Sequence, residues 1–316
     1  MIGKLLEPAG LQQLAALKLQ ARLVAEGALS GLHRAAHHGA SVEFAEHKEY
    51  APGDDLRHID WRAYGRIDKF YVKRFEDETE LRAYLLLDAS GSMAYGRQGH
   101  QSKFAYGRIL CAALAYLLLR QKDEAGLLAF SAGPTRYLPP RGRAAHLTDL
   151  CRALLEIQPG GSTDLLRALS YLSEVARRRS LVVVVSDLFP SPATAPLQGQ
   201  DALVHATAAL RARLAGLRAR QHDVVVLQLL DPDELELPFS GPTWFEDMEP
   251  SPGGPRRLLA DPADVRRAYQ AELGRFLAGL RRGLAESDVE YHLVPTTQPP
   301  QQVLLSLLRG PLRRRG

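Results

Sequence analysis

The sequence predicts an α/β fold built on a doubly wound, mostly parallel sheet, and two observations predict it. From residue 83 onward, short apolar stretches alternate with longer ones of helical character, the rhythm of strand–helix–strand units. The strongest stretch, Leu181-Val182-Val183-Val184-Val185, is apolar at every position, as a central strand covered by helices on both faces requires. Strands are expected at Tyr84 to Leu87, Ala125 to Phe130, Leu181 to Val185, Val224 to Leu230 and Val289 to Val294. Helices are expected near 103–121, 144–156, 164–178, 201–220 and 263–286, and the Pro-, Gly- and acid-rich stretches 187–200 and 231–262 read as long loops.

Two different regions precede this rhythm. Residues 5–29 place Leu11, Leu14, Leu17, Leu19 and Leu23 at helical spacing, so an N-terminal helix is expected, with Gly27, Gly31 and Gly39 breaking it. Residues 41–80 are charged and aromatic, with a turn signal at Pro52-Gly53 and a strand-like alternation from Lys69 to Phe75. The expected division is therefore 1–80, a helix and small β extension, and 81–310, the α/β domain.

Composition narrows the function classes. The chain has 316 residues, 46% hydrophobic and 24% charged, ordinary for a globular protein. The net charge of +4 is matched by four arginines of the tail, Arg309, Arg313, Arg314 and Arg315, so the body is balanced and no nucleic-acid partner is expected. The most apolar stretch, Ile109 to Leu119, has eleven residues, whereas a spanning helix needs about 20. No secretion-signal pattern opens the chain. A cytoplasmic protein without a membrane span is expected, with Cys111 and Cys151 as reduced core thiols.

Three loops at strand or helix junctions are expected to carry chemistry. The first strand runs into Asp88-Ala89-Ser90-Gly91-Ser92, a carboxylate and two hydroxyls in five residues. Ligands of open α/β sheets bind beyond the carboxyl ends of the strands. Such hard oxygens suit Mg²⁺, Mn²⁺ or Ca²⁺ rather than zinc, and Gly91 permits a tight turn. Gly160-Gly161-Ser162-Thr163-Asp164 adds a hydroxyl on Thr163, and Asp187 adds a carboxylate after the strongest strand. Asp164 reads as the N-cap of the next helix.

Asp88, Ser90 and Ser92, then Thr163 after a Gly-Gly turn and Asp187 after a later strand, resemble the metal-ion-dependent adhesion site of von Willebrand factor A domains. The resemblance implies a Rossmann-type three-layer fold and those five residues as metal-site positions. It also implies an open coordination position filled by a partner's carboxylate. Glu43 to Tyr50, then Pro52 to Tyr64 with Asp54, Asp55, Arg57, Asp60, Trp61 and Arg62, and Val72 to Glu76, resemble the bacterial domain-of-unknown-function 58 family. Leu230 to Glu234 and Phe245 to Asp247 fit it too. That resemblance implies a MoxR-type AAA+ ATPase as partner, with other von Willebrand factor A proteins alongside, and an adaptor or assembly role.

The charged knot from Asp54 to Arg62 reads first as a structural tie, and as a docking surface second. His33 and His37 are four apart but lack a third ligand at a suitable spacing. Ser90 has no nucleophile-elbow context, and no phosphate loop with a lysine occurs. The expectation is a binding module and not an enzyme. Two alternatives stand beside it: a metal-dependent phosphoesterase, for which Asp54, Asp55 or Asp231 would have to reach the ion, and a scaffold whose ion only stabilises a loop.

Overall fold

The computed structural model describes residues 8–36, 48–49, 71–72, 81–190, 200–249 and 257–310. The chain divides into two units, one of Met1–Leu32 with Leu81–Gly316 and one of His33–Glu80. In the smaller unit, β1 (Lys48–Glu49) pairs antiparallel with β2 (Tyr71–Val72), inside the region expected to hold a β extension. The Asp54–Arg62 knot, Asp54 and Asp55 among it, lies outside the described residues.

In the larger unit the all-apolar runs become strands because both of their faces are covered. β3 (Arg82–Asp88), β4 (Glu124–Phe130), β6 (Leu181–Ser186), β7 (Asp223–Leu230) and β10 (Glu290–Pro295) are parallel, and β5 (Pro134–Arg141) joins β4 antiparallel. The order is β10-β7-β6-β3-β4-β5. The expected doubly wound, mostly parallel sheet is present.

Alternation along each strand sends side chains to opposite faces. Leu85, Leu87, Val183, Val185, Val225 and Leu227 enter one buried cluster, and Tyr84, Leu86, Val182, Val184, Val224 and Val226 enter the other. The first is roofed by α1 (Pro8–Ala36), α2 (Lys103–Arg120), α3 (His146–Glu156) and α8 (Pro300–Arg309). The second is roofed by α4 (Leu165–Val175), α5 (Gln200–Ala219) and α7 (Pro262–Ala285). Both expected core thiols, Cys111 and Cys151, are free and buried, and burial pushes them up to about 12 and about 11.

Three expectations change and two elements are added. α1 continues through Gly27 and Gly31 to Ala36, because the small residues face α8: a Cβ at Gly31 would lie 3.1 Å from Leu305 Cδ2. Its segment up to Leu32 belongs with the sheet unit instead of with the extension, since Leu14, Leu17, Ala21, Ala25 and Ala28 are core residues. β5 was not foreseen, nor was α8. Finally, the stretch expected as a loop over 231–262 holds α6 (Pro232–Glu236) and the hairpin of β8 (Thr243–Glu246) with β9 (Arg257–Ala260). Among the described residues no helix is long and apolar enough to cross a membrane.

Candidate functional site

Chain order places the site. From β3 the chain fills β4 and β5 on one side, then crosses to β6 on the other. The gap between the carboxyl ends of β3 and β6 is the switch point at which α/β sheets bind ligands. Asp88 is the last residue of β3, and Asp187 follows β6 directly.

The loop before α4 is stitched onto the end of β3. Gly160 N donates to Ala89 O at 2.8 Å, and Gly91 N donates to Gly161 O at 2.8 Å. Gly161 has φ +80, a backbone conformation glycine adopts without steric cost. Asp164 caps α4, accepting from Arg167 N, as its position before the helix led us to expect. These ties carry Thr163 over Asp88.

Asp88 is fully buried and its carboxylate is the hub. Oδ1 accepts from Ser90 N at 2.9 Å and Thr163 Oγ1 at 3.2 Å; Oδ2 accepts from Thr163 Oγ1 at 3.0 Å and Ser186 Oγ at 2.6 Å. Ser90 Oγ lies 3.1 Å from Ser92 Oγ. Burial, and then the neighbouring Asp187 charge, push the Asp88 carboxyl up to about 7, against the hydrogen bonds from Ser186 and Ser90. Asp88, Ser90, Ser92 and Thr163 are thus one connected group of oxygens.

Asp187 makes its hydrogen bonds to other residues. Its Oδ2 accepts from Lys103 Nζ at 2.8 Å and its Oδ1 from Phe189 N at 3.2 Å, while its backbone O accepts from Gln228 Nε2 at 2.7 Å. Lys103 opens α2 and is completely buried. It also donates to Glu234 Oε1 at 2.5 Å. Burial works against its charge, but Asp187 and Glu234 outweigh that and hold it above the usual lysine value. Leu188, the next residue, has φ 60, an uncommon conformation for a branched side chain.

One further carboxylate reaches the group from a segment read as plain loop. Glu249 Oε1 accepts from Ser92 Oγ at 3.0 Å, and Oε2 accepts from Thr163 N at 3.0 Å. The same segment explains Gly91. The Gly91 backbone has φ -61 and ψ -39, which any residue adopts, so no special turn demands glycine there. A Cβ at Gly91 would instead sit 2.1 Å from Met248 O. The glycine is needed for a close approach.

Lys103, Ser186, Glu234 and Glu249 were not singled out as site residues. A lysine opening an apolar helix and a serine ending an apolar strand were the available signals for the first two. Nothing local marks Glu249. Asp231 lies in the α6 capping box and accepts from Arg97 N, Asp233 N and Thr296 Oγ1. Among the described residues no group of three or more His, Cys, Asp or Glu is placed to hold a metal.

Comparison with known proteins gives these likenesses. The family described as "Protein of unknown function DUF58" matches residues 46–275. An uncharacterised protein of Mycobacterium tuberculosis is 27% identical over 287 residues, 88% of this chain and 84% of that protein. Among solved structures, the conserved hypothetical protein BatB of Bacteroides thetaiotaomicron is 16% identical, with TM-score 0.42 over 72% of this chain and 97% of that one. The VWA domain of SpRpn10 is 8% identical, with TM-score 0.39 over 72% of this chain and 94% of that one.

Proposed function

This chain belongs to the family described as protein of unknown function DUF58, and from that premise we propose that it is a metal-dependent protein-interaction module. Asp88, Ser90, Ser92 and Thr163 hold the cation, Mg²⁺ in first place and Mn²⁺ or Ca²⁺ otherwise. The observation that carries the reading is the linked oxygens of those four residues at the switch point of the sheet.

The residues fit such an ion. Asp88 is fully buried, yet the groups bonded to it are two hydroxyls and one amide, none of them cationic. Buried carboxylates are stable when a cation or metal compensates them. Several hydroxyls with one carboxylate suit a small hard cation that keeps several waters. When bound, the ion supplies a positive centre that a carboxylate of a partner protein can approach. Asp187 is held by Lys103 and adds negative charge behind Asp88, so its part is indirect.

The partner is a MoxR-type AAA+ ATPase, a choice that rests on the family resemblance. Binding is favoured over catalysis because Asp231 is committed to capping α6 and to bonds with Arg97 N and Thr296. The test is capture of the purified ATPase on immobilised native chain and on Asp88→Asn, each with Mg²⁺ or with EDTA. Native chain retains the ATPase in Mg²⁺ and releases it in EDTA; Asp88→Asn retains none while keeping its circular dichroism spectrum. Equal capture in EDTA would refute the proposal.

A further inference from the structure

We propose that Glu249 is a built-in occupant of the carboxylate position, so that an acidic segment of a partner docks only by displacing it. The inference rests on the docking reading above and adds its regulation.

Glu249 is mostly buried, and both of its carboxylate oxygens are used. One accepts from the Ser92 hydroxyl and the other from the Thr163 amide. Both donors belong to residues assigned to the cation site, so Glu249 already lies where a carboxylate from outside would approach the ion. The fit is shaped as well as charged. Met248 O lies where any Cβ at position 91 would be, so the Met248 backbone is in close contact with Gly91 of the Asp88–Ser92 loop.

The contact is also suited to release. Glu249 lies three residues beyond β8, whose ladder with β9 has four pairs, Thr243↔Ala260 to Glu246↔Arg257. A lone two-stranded hairpin is marginally stable in water. Trp244 and Leu259, opposite one another in that ladder, are both exposed, while Phe245 packs edge-on against Phe239 with ring centroids 6.3 Å apart. A carboxylate supplied by the chain itself and carried beside a two-stranded hairpin is displaced by a partner offering more contact. Both donors require an acceptor, and the group they already hold is the carboxylate of Glu249, so the occupant from outside is taken to be an acidic peptide.

The test is fluorescence anisotropy of a labelled hexaglutamate peptide with the full chain, native and Glu249→Ala, in Mg²⁺ and in EDTA. When an internal group occupies a site, apparent affinity falls by the fraction open. We expect Glu249→Ala to bind at least about tenfold tighter than native, with the gain lost in EDTA. Equal affinity of the two proteins overturns the internal occupant and leaves the docking reading standing. Binding by neither overturns the docking reading, and this inference with it. Hydrogen exchange at the Thr163 amide is the second measurement, made also on Glu249→Gln. Faster exchange in Glu249→Ala than in Glu249→Gln, which keeps one acceptor oxygen, with α2 and α4 unchanged, supports the contact. An unchanged rate at Thr163 overturns it.

Discussion

Lys103 and Asp187 show how a residue's role depends on what surrounds it. Asp187 was expected among the metal positions from its place after the strongest strand. The structure puts a fully buried ammonium 2.8 Å from it, with Glu234 on that ammonium's other side. Removing one partner of a buried ion pair leaves the other charge uncompensated, at about 3–5 kcal/mol. Lys103→Met is therefore expected to lower the unfolding free energy by about that amount in urea titration; a loss below about 1 kcal/mol would show the pair to be expendable. Asp88, Ser90, Ser92 and Thr163 were legible because a strand-end Asp-x-Ser-x-Ser and a Gly-Gly-x-Thr turn are local patterns. Lys103 and Glu249 were not, since 84 residues separate Lys103 from Asp187 and 157 separate Ser92 from Glu249.

Among the elements, the central strands and the helices between them were legible because burial on both faces leaves an unbroken apolar run. β5 was missed for the opposite reason. It is an edge strand, largely exposed, with prolines at 134, 139 and 140, and proline is tolerated in strands chiefly at edges. α8 was hidden by Pro299-Pro300, which reads as a turn although Pro300 sits at the first helical position, where proline is favoured. Its Val303, Leu304, Leu307 and Leu308 complete the core beside α1 and α2. Leu304 is fully buried, so Leu304→Ala is expected to cost about 2–5 kcal/mol. Chemical unfolding measures this, and a cost near zero would mean that α8 is not docked in solution.

For the whole molecule, one sheet with helices on both faces brings loops from three parts of the chain to one point. A cation bound there stabilises the folded state and not the unfolded chain, by about 2.7 kcal/mol at a concentration one hundred times its dissociation constant. Saturating Mg²⁺ is expected to raise the melting temperature of the native chain and to leave that of Asp88→Asn unchanged. An identical rise in both would move the ion elsewhere.

By itself, the sequence determined the fold class, the order of the central strands along the chain and the Asp88–Ser92 loop at a strand end. Each of these is written in neighbouring residues, through the periods of strands and helices and through turn chemistry. Only the tertiary structure decided that Asp187 answers to Lys103, that Gly91 is required by Met248 O, and that Glu249 covers Ser92 and Thr163. These depend on which distant loops the sheet order sets side by side, and spacing along a chain does not encode that distance.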